Sequence, residues 1–137
     1  MTNSNKQAHL EMIQGIINRL SNNSFLLKGW SVVLVSALFA LTAKDSKMLF
    51  VYIAYLPAIS FWGLDGFFLH QERLFRKLYD HVRQLDESEI TFSMDTSIVH
   101  AQVASWFSVT LSKTLLIFHG IILLTIFFVM ILCIGLS

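Results

Sequence analysis

Cysteine and proline each occur once in this chain, glycine six times, and charged residues make up only 14% of it. A single thiol, Cys133, cannot close an internal disulfide, so no disulfide framework and no oxidising compartment are implied. So little proline and glycine excludes a turn-rich β-sandwich, a collagen-like chain and a disordered one. Soluble domains carry about 25% charged residues, so this chain is short of the groups that keep a folded surface hydrated. The net charge of +1 excludes a generally basic nucleic-acid-binding protein but leaves local patches open. H-E-x-x-H, P-loop and G-x-S-x-G motifs are all missing, and the five histidines are too scattered for a metal site. No cofactor and no metal are expected, and an enzyme is not the first reading.

What is present is apolar: 55% of the 137 residues are hydrophobic and 13% aromatic, with a mean hydropathy of +0.62. Three stretches stand out, at 25–43, 49–69 and 115–136. Each is roughly 20 residues, which a helix needs to cross about 30 Å of hydrocarbon. Backbone polar groups find no water there, so helices are the expected conformation. The first 24 residues are polar and periodic, with no short apolar core to suggest a signal peptide. The expected fold is therefore an all-α membrane protein in a single domain, 1–137, with three transmembrane helices and cytoplasmic helical extensions.

Lysine and arginine placement orients it. Lys6, Arg19, Lys28, Arg73, Arg76, Lys77, Arg83 and Lys113 fall on one side, against Lys44 and Lys47 on the other. The positive-inside rule puts the larger group in the cytoplasm, with the N-terminus, and leaves the C-terminus outside.

The cytoplasmic parts read as helical. In 1–24, Leu10, Ile13, Ile17 and Leu20 recur at spacings of three and four, one helical face. Ser21-Asn22-Asn23-Ser24 supplies turn and N-cap chemistry before the first span, which predicts a break there. Beyond the second span, Leu74, Phe75, Leu78, Val82 and Leu85 continue an apolar stripe without a breaker, so one long helix is expected to about Leu85. An acidic turn region follows from Asp86 to Asp95, with Asp95 or Ser93 as cap of the next helix. Val99, Val103, Trp106, Phe107 and Leu111 then mark a returning helix over 96–113, making 70–113 a helical hairpin. Ala101, Ala104, Ser105, Ser108 and Ser112 are small enough for close helix approach. So many apolar stripes on a short chain favour burial against further copies, in a symmetric homo-oligomer.

Three features carry candidate chemistry. Asp65 is the only charge in the second span, and an intramembrane carboxylate is costly enough to face an interior or a water-filled cavity. It either rings a cation pore in an oligomer or bonds a neighbouring helix or Lys28 about one turn from the inner boundary. His119 in the third span is the second pore or gating candidate, against a helix–helix hydrogen bond. Arg73, Arg76, Lys77 and Arg83, with Tyr79 for stacking, have the makeup of a site for phosphates, single-stranded DNA above all. The same run is also what topology-setting residues look like. Arg76 to His81 matches the weak R-x-x-x-x-H spacing of HEPN ribonucleases, so a membrane-anchored ribonuclease is the rival, and a non-conducting scaffold the third possibility.

Two segments, HLEMIQGIINRLSNNSFLLKGW (His9–Trp30) and FWGLDGFFLHQERLFRKLYDHVR (Phe61–Arg83), carry a family likeness. They resemble small bacterial membrane effectors of anti-phage defence, nearest to those of Hailong systems. The small pore-forming protein that accompanies an RNA-targeting CRISPR nuclease comes second. The likeness covers about 45 of the 137 residues. It implies an oligomeric ion channel, favouring a tetramer, that depolarises the inner membrane on infection. It further implies a nucleotidyltransferase partner whose oligodeoxyadenylate product, bound at the basic run, keeps the channel shut.

The lysine and arginine asymmetry makes a direct prediction. An alkaline phosphatase fused to the C-terminus should be active outside the inner membrane, and a fluorescent protein fused there should stay dark. A C-terminal reporter active only in the cytoplasm would overturn the topology and the count of three spans.

Overall fold

The computed structural model describes residues 4–136 and contains, in chain order, α1 (Ser4–Asp45), α2 (Leu49–Arg83), α3 (Trp106–Thr110) and α4 (Lys113–Leu136). Two short 3-10 helices, Glu87–Glu89 and Ser97–Gln102, lie between α2 and α3, and no strand occurs among the described residues. α1, α2 and α4 are each long and apolar enough to cross a membrane. Only 17%, 28% and 22% of the residues in their apolar stretches are buried within the chain, so most of that surface faces outward.

α1 and α2 pack against each other along most of their length, joined by a three-residue turn. Ser46 takes the left-handed backbone conformation, φ 53°, and its N–H donates to the Thr42 carbonyl at 2.8 Å. This closes the end of α1 with the single-bond left-handed cap, here made without glycine. Pro57 sits inside α2 and removes one backbone donor, yet the helix continues on both sides of it. Neighbouring helices support such a proline in an apolar layer.

Two cores hold the chain together. In the apolar half, Val35 of α1 meets Val51, Ala54 and Ala58 of α2 and Ile122 and Ile126 of α4. Ala54 and Ala58 lie one turn apart, so α2 presents a narrow face that lets its neighbours approach closely. In the polar half, Ile13 and Ile17 of α1 meet Leu78 and Val82 of α2, with Val99 from the 3-10 helix Ser97–Gln102 closing the cluster. The stripes predicted on 10–20 and 74–85 thus cover one another.

Two expectations fail here. The predicted break at Ser21–Ser24 is absent, and α1 runs through it without interruption for 42 residues, about 63 Å. Serine and asparagine weaken a helix by only several tenths of a kcal/mol each. Burial of Ile17 below them and the bond Ser24 makes with Asp65 favour continuity. The predicted helix over 96–113 is the second failure. It is broken into a 3-10 turn, an extended stretch at 103–105, the five-residue α3 and a further break at Leu111–Ser112. Ser105 caps α3 by accepting the Ser108 N–H at 3.3 Å, which is how serine competes with a continuing helix. The hairpin expected over 70–113 is replaced by one in which α2 packs on the N-terminal half of α1.

The connection after α2 is fastened to the start of α1. Asp86 and Glu89 form a capping box around the first 3-10 turn. Glu87 reaches across so that its carboxylate accepts the backbone N–H of Asn5 at 2.8 Å and of Lys6 at 3.2 Å. These are donors that the first turn of a helix cannot satisfy internally. The His9 ring lies 2.9 Å from the Ser93 carbonyl through Nε2 and 5.5 Å from the ring of Phe92, whose φ is 58°. Asp95 accepts the backbone N–H and the hydroxyl of Ser97, which holds its carboxyl below the usual aspartate range.

Replacing Glu87 with Ala should free the first turn of α1. A lost cap costs about 1 kcal/mol, so amide exchange at Asn5 and Lys6 should rise about fivefold while amides near Ile17 stay protected. Unchanged exchange at Asn5 would show that the Glu87 bonds do not hold the turn.

Candidate functional site

Asp65 is 0% exposed, at the centre of a polar cluster drawn from all three long helices. Along α2 it lies about 24 Å from Leu49, and His119 lies about 26 Å from the end of α4. Lys28 lies about 22 Å from Ala43 on α1. The three ionisable groups therefore share one level, roughly one turn inside the far edge of a 30 Å apolar layer.

Both oxygens of the carboxylate are engaged. Ser24 donates through its hydroxyl to Oδ1. Lys28 Nζ lies 2.6 Å from Oδ2 and also donates to Ser24 Oγ at 2.9 Å. His119 Nε2 lies 2.8 Å from the same Oδ2. A carboxylate only accepts, so Nε2 carries the proton in this bond. Lys28 and Asp65 cancel in charge within the apolar layer. The remaining ring nitrogen, Nδ1, is buried with no hydrogen-bond partner.

Aromatic rings close the cluster off. Trp62 stacks on His119 with ring centres 6.0 Å apart and planes 9° apart. Phe118 meets His119 edge-on at 5.0 Å and lies under Lys28 Nζ at 5.8 Å. The Trp62 indole donates to the Thr110 carbonyl at 2.8 Å, and the Trp106 indole donates to the Gly63 carbonyl at 3.1 Å. Gly66 permits the approach of α3. A Cβ there would lie 3.2 Å from the Thr110 backbone and closer still to its side chain.

With both oxygens of Asp65 taken inside one chain, Asp65 and His119 stand at helix contacts and not on an open wall. Lys28 is the partner that sequence reasoning had weighed against a pore. Ser24, read as a turn residue, and Trp62 were missed. Counting residues inward from the apolar ends places Lys28, Asp65 and His119 at one depth, which is the signal that could have grouped them.

The basic run divides. Arg73, Arg76 and Lys77 surround a cleft of about 250 Å³ with Gln102, Val103 and Ala104. Lys77 and Arg83 border a second cleft with Asp80, His81, Gln84 and Gln102. Arg76 is paired with Glu72 at 3.1 Å and Arg83 with Asp80 at 3.7 Å. Tyr79 does not join them and faces α1 beside Lys6 and Leu10. Arg76 and His81 lie about 140° apart around the helix, so their spacing does not converge on one point.

A double-mutant cycle should expose the ion pair. Removing one partner of a buried pair costs about 3–5 kcal/mol, whereas removing both leaves no orphaned charge. Asp65→Leu and Lys28→Met alone should each lower the melting temperature in detergent sharply, and the double variant should recover most of the loss. Additive losses would mean that the two charges do not act as a pair.

No family model, curated protein or solved structure matches this chain, so its function is read from its own residues.

Proposed function

We propose that this chain is the protomer of a homo-oligomeric ion channel in the bacterial inner membrane, an effector of anti-phage defence that depolarises the membrane when released. The observation that carries the reading is the buried Ser24–Lys28–Asp65–His119 cluster. Charged groups this deep in an apolar layer are retained at functional positions, because hydrocarbon penalises them heavily. Here they tie α1, α2 and α4 together at a single level. Three helices leave no room for a conduit within one protomer, and their outward apolar faces support assembly into a ring. The N-terminus, the 84–112 segment and the basic run from Arg73 to Arg83 lie on the cytoplasmic side in this reading.

The cluster acts as a latch for the closed arrangement. α2 is one unbroken helix from Asp65 to Arg83, so an anion bound to its basic face is mechanically connected to the latch. A ligand shifts such an equilibrium only by its difference in affinity for the two states. The oligodeoxyadenylate that the resemblance implies is one anion of this kind, made by a nucleotidyltransferase partner.

The test is ion flux from the purified protein in sealed vesicles, with oligomeric size measured in parallel. Lys28→Met and Asp65→Asn should each raise flux at least several-fold, and in cells should depolarise the inner membrane without phage. A protein that is monomeric and carries no current above empty vesicles, in wild type and both variants, would rule out the channel and favour a scaffold.

A further inference from the structure

The cleft lined by Arg73, Arg76, Lys77, Gln102, Val103 and Ala104 lies at a particular height. Arg73 is about 12 Å further along α2 than Asp65, and Lys77 one turn beyond that. If Asp65 is roughly 6 Å inside the hydrocarbon edge, Arg73 is about 6 Å outside it, in the layer of lipid headgroups. Arg73 and Lys77 are one turn apart on the same face, and neither has a carboxylate partner among the described residues. Two unpaired cations beside a glutamine amide and a short apolar wall are suited to a phosphate with a glycerol attached.

The segment below the cleft points the same way. Directly after Ala104 the chain turns down into α3, and the Trp106 indole bonds Gly63, a residue about 3 Å deeper than Asp65. Trp106, Phe107 and Leu111 are nevertheless 45%, 66% and 46% exposed. Large apolar side chains left exposed just below the headgroup layer offer a surface for lipid acyl chains. Asp80 lies between Lys77 and Arg83, so this cleft by itself offers a compact pair of cations matched to a single phosphate.

We propose that this cleft binds the phosphate of an anionic phospholipid of the cytoplasmic leaflet, held by Arg73 and Lys77, with its acyl chains against the exposed face of α3. The site rests on the reading that the three helices span the membrane. Bound lipid ties the 102–112 segment to the bilayer and fixes α3 against Gly63 and Gly66 of α2. The level of anionic lipid thereby bears on the same helices that carry the Asp65 cluster.

The experiment reconstitutes the full chain in vesicles of phosphatidylcholine mixed with phosphatidylglycerol and reads the co-purifying lipids by native mass spectrometry. Wild type should retain phosphatidylglycerol in preference, and Arg73→Gln/Lys77→Gln should lose about tenfold of that preference, since each cation near an anionic surface contributes severalfold. Lys44→Gln/Lys47→Gln, which removes the same charge at the opposite end, should retain it. Equal retention by all three proteins would overturn the site. Release of the lipid by millimolar inorganic phosphate would reassign the cleft to a free anion. No lipid preference, together with oligonucleotide binding that is lost in Arg73→Gln/Lys77→Gln, would reassign it to nucleic acid. Insertion is checked by resistance to alkaline extraction from pure phosphatidylcholine vesicles. Failure there removes the membrane reading and this site with it, whereas insertion without lipid preference removes the site alone.

Discussion

A carboxylate and an ammonium group placed in hydrocarbon attract each other strongly, because little surrounds them to screen the field. Each also loses its hydration, and that loss rivals the attraction unless other donors and acceptors complete the shell. Lys28 and Asp65 meet this condition only where α1, α2 and α4 are in register, since Ser24 and His119 supply the remaining bonds. A slip of one turn along any of the three helices moves a partner by about 5.4 Å and leaves a charge alone. The apolar packing above and below the cluster tolerates small slips far better, being built from side chains that resemble one another. The charged cluster therefore sets the register, and the two apolar cores supply most of the cohesion.

The arrangement of the cores follows from this. Val35, Val51, Ala54, Ala58, Ile122 and Ile126 pack on one side of the cluster, and Ile13, Ile17, Leu78, Val82 and Val99 on the other. α4 contributes only to the first and the 97–102 turn only to the second. α1 and α2 contribute to both, which makes them a continuous two-helix frame. α3 is attached to that frame at Gly66, where the lack of a side chain lets it come close, and through the Trp106 indole bond to the Gly63 carbonyl.

Much of this was legible in the amino-acid sequence, and the remainder was not for identifiable reasons. About 20 apolar residues in a row admit few readings, so the three long helices stand out. Leu74, Leu78 and Val82 likewise continue the second helix past its apolar part. The junction at Ser21–Ser24 misled because local preference is worth tenths of a kcal/mol, less than the tertiary bonds that Ser24 makes. The 96–113 segment misled in the opposite sense: its small residues recur at helical spacing, but the Ser105 hydroxyl offered the backbone another partner. Asp65, Lys28 and His119 attract attention as polar groups in apolar surroundings. Their meeting depends on the rotation of three helices about their own axes, which a single chain does not encode locally. The same holds for Tyr79, whose neighbours are set by α1.

The contact between Glu87 and the start of α1 has a consequence for the order of assembly. Glu87 follows Asn5 by 82 residues, and a ribosome adds roughly 5–20 residues per second. The first turn of α1 therefore waits between about 4 and 16 s for its acceptor, through synthesis of nearly all of both long helices. During that interval the nascent end has unsatisfied N–H groups and frays. It closes only after α1 and α2 are both made, so completion of the amino-terminal turn records that the paired frame has formed.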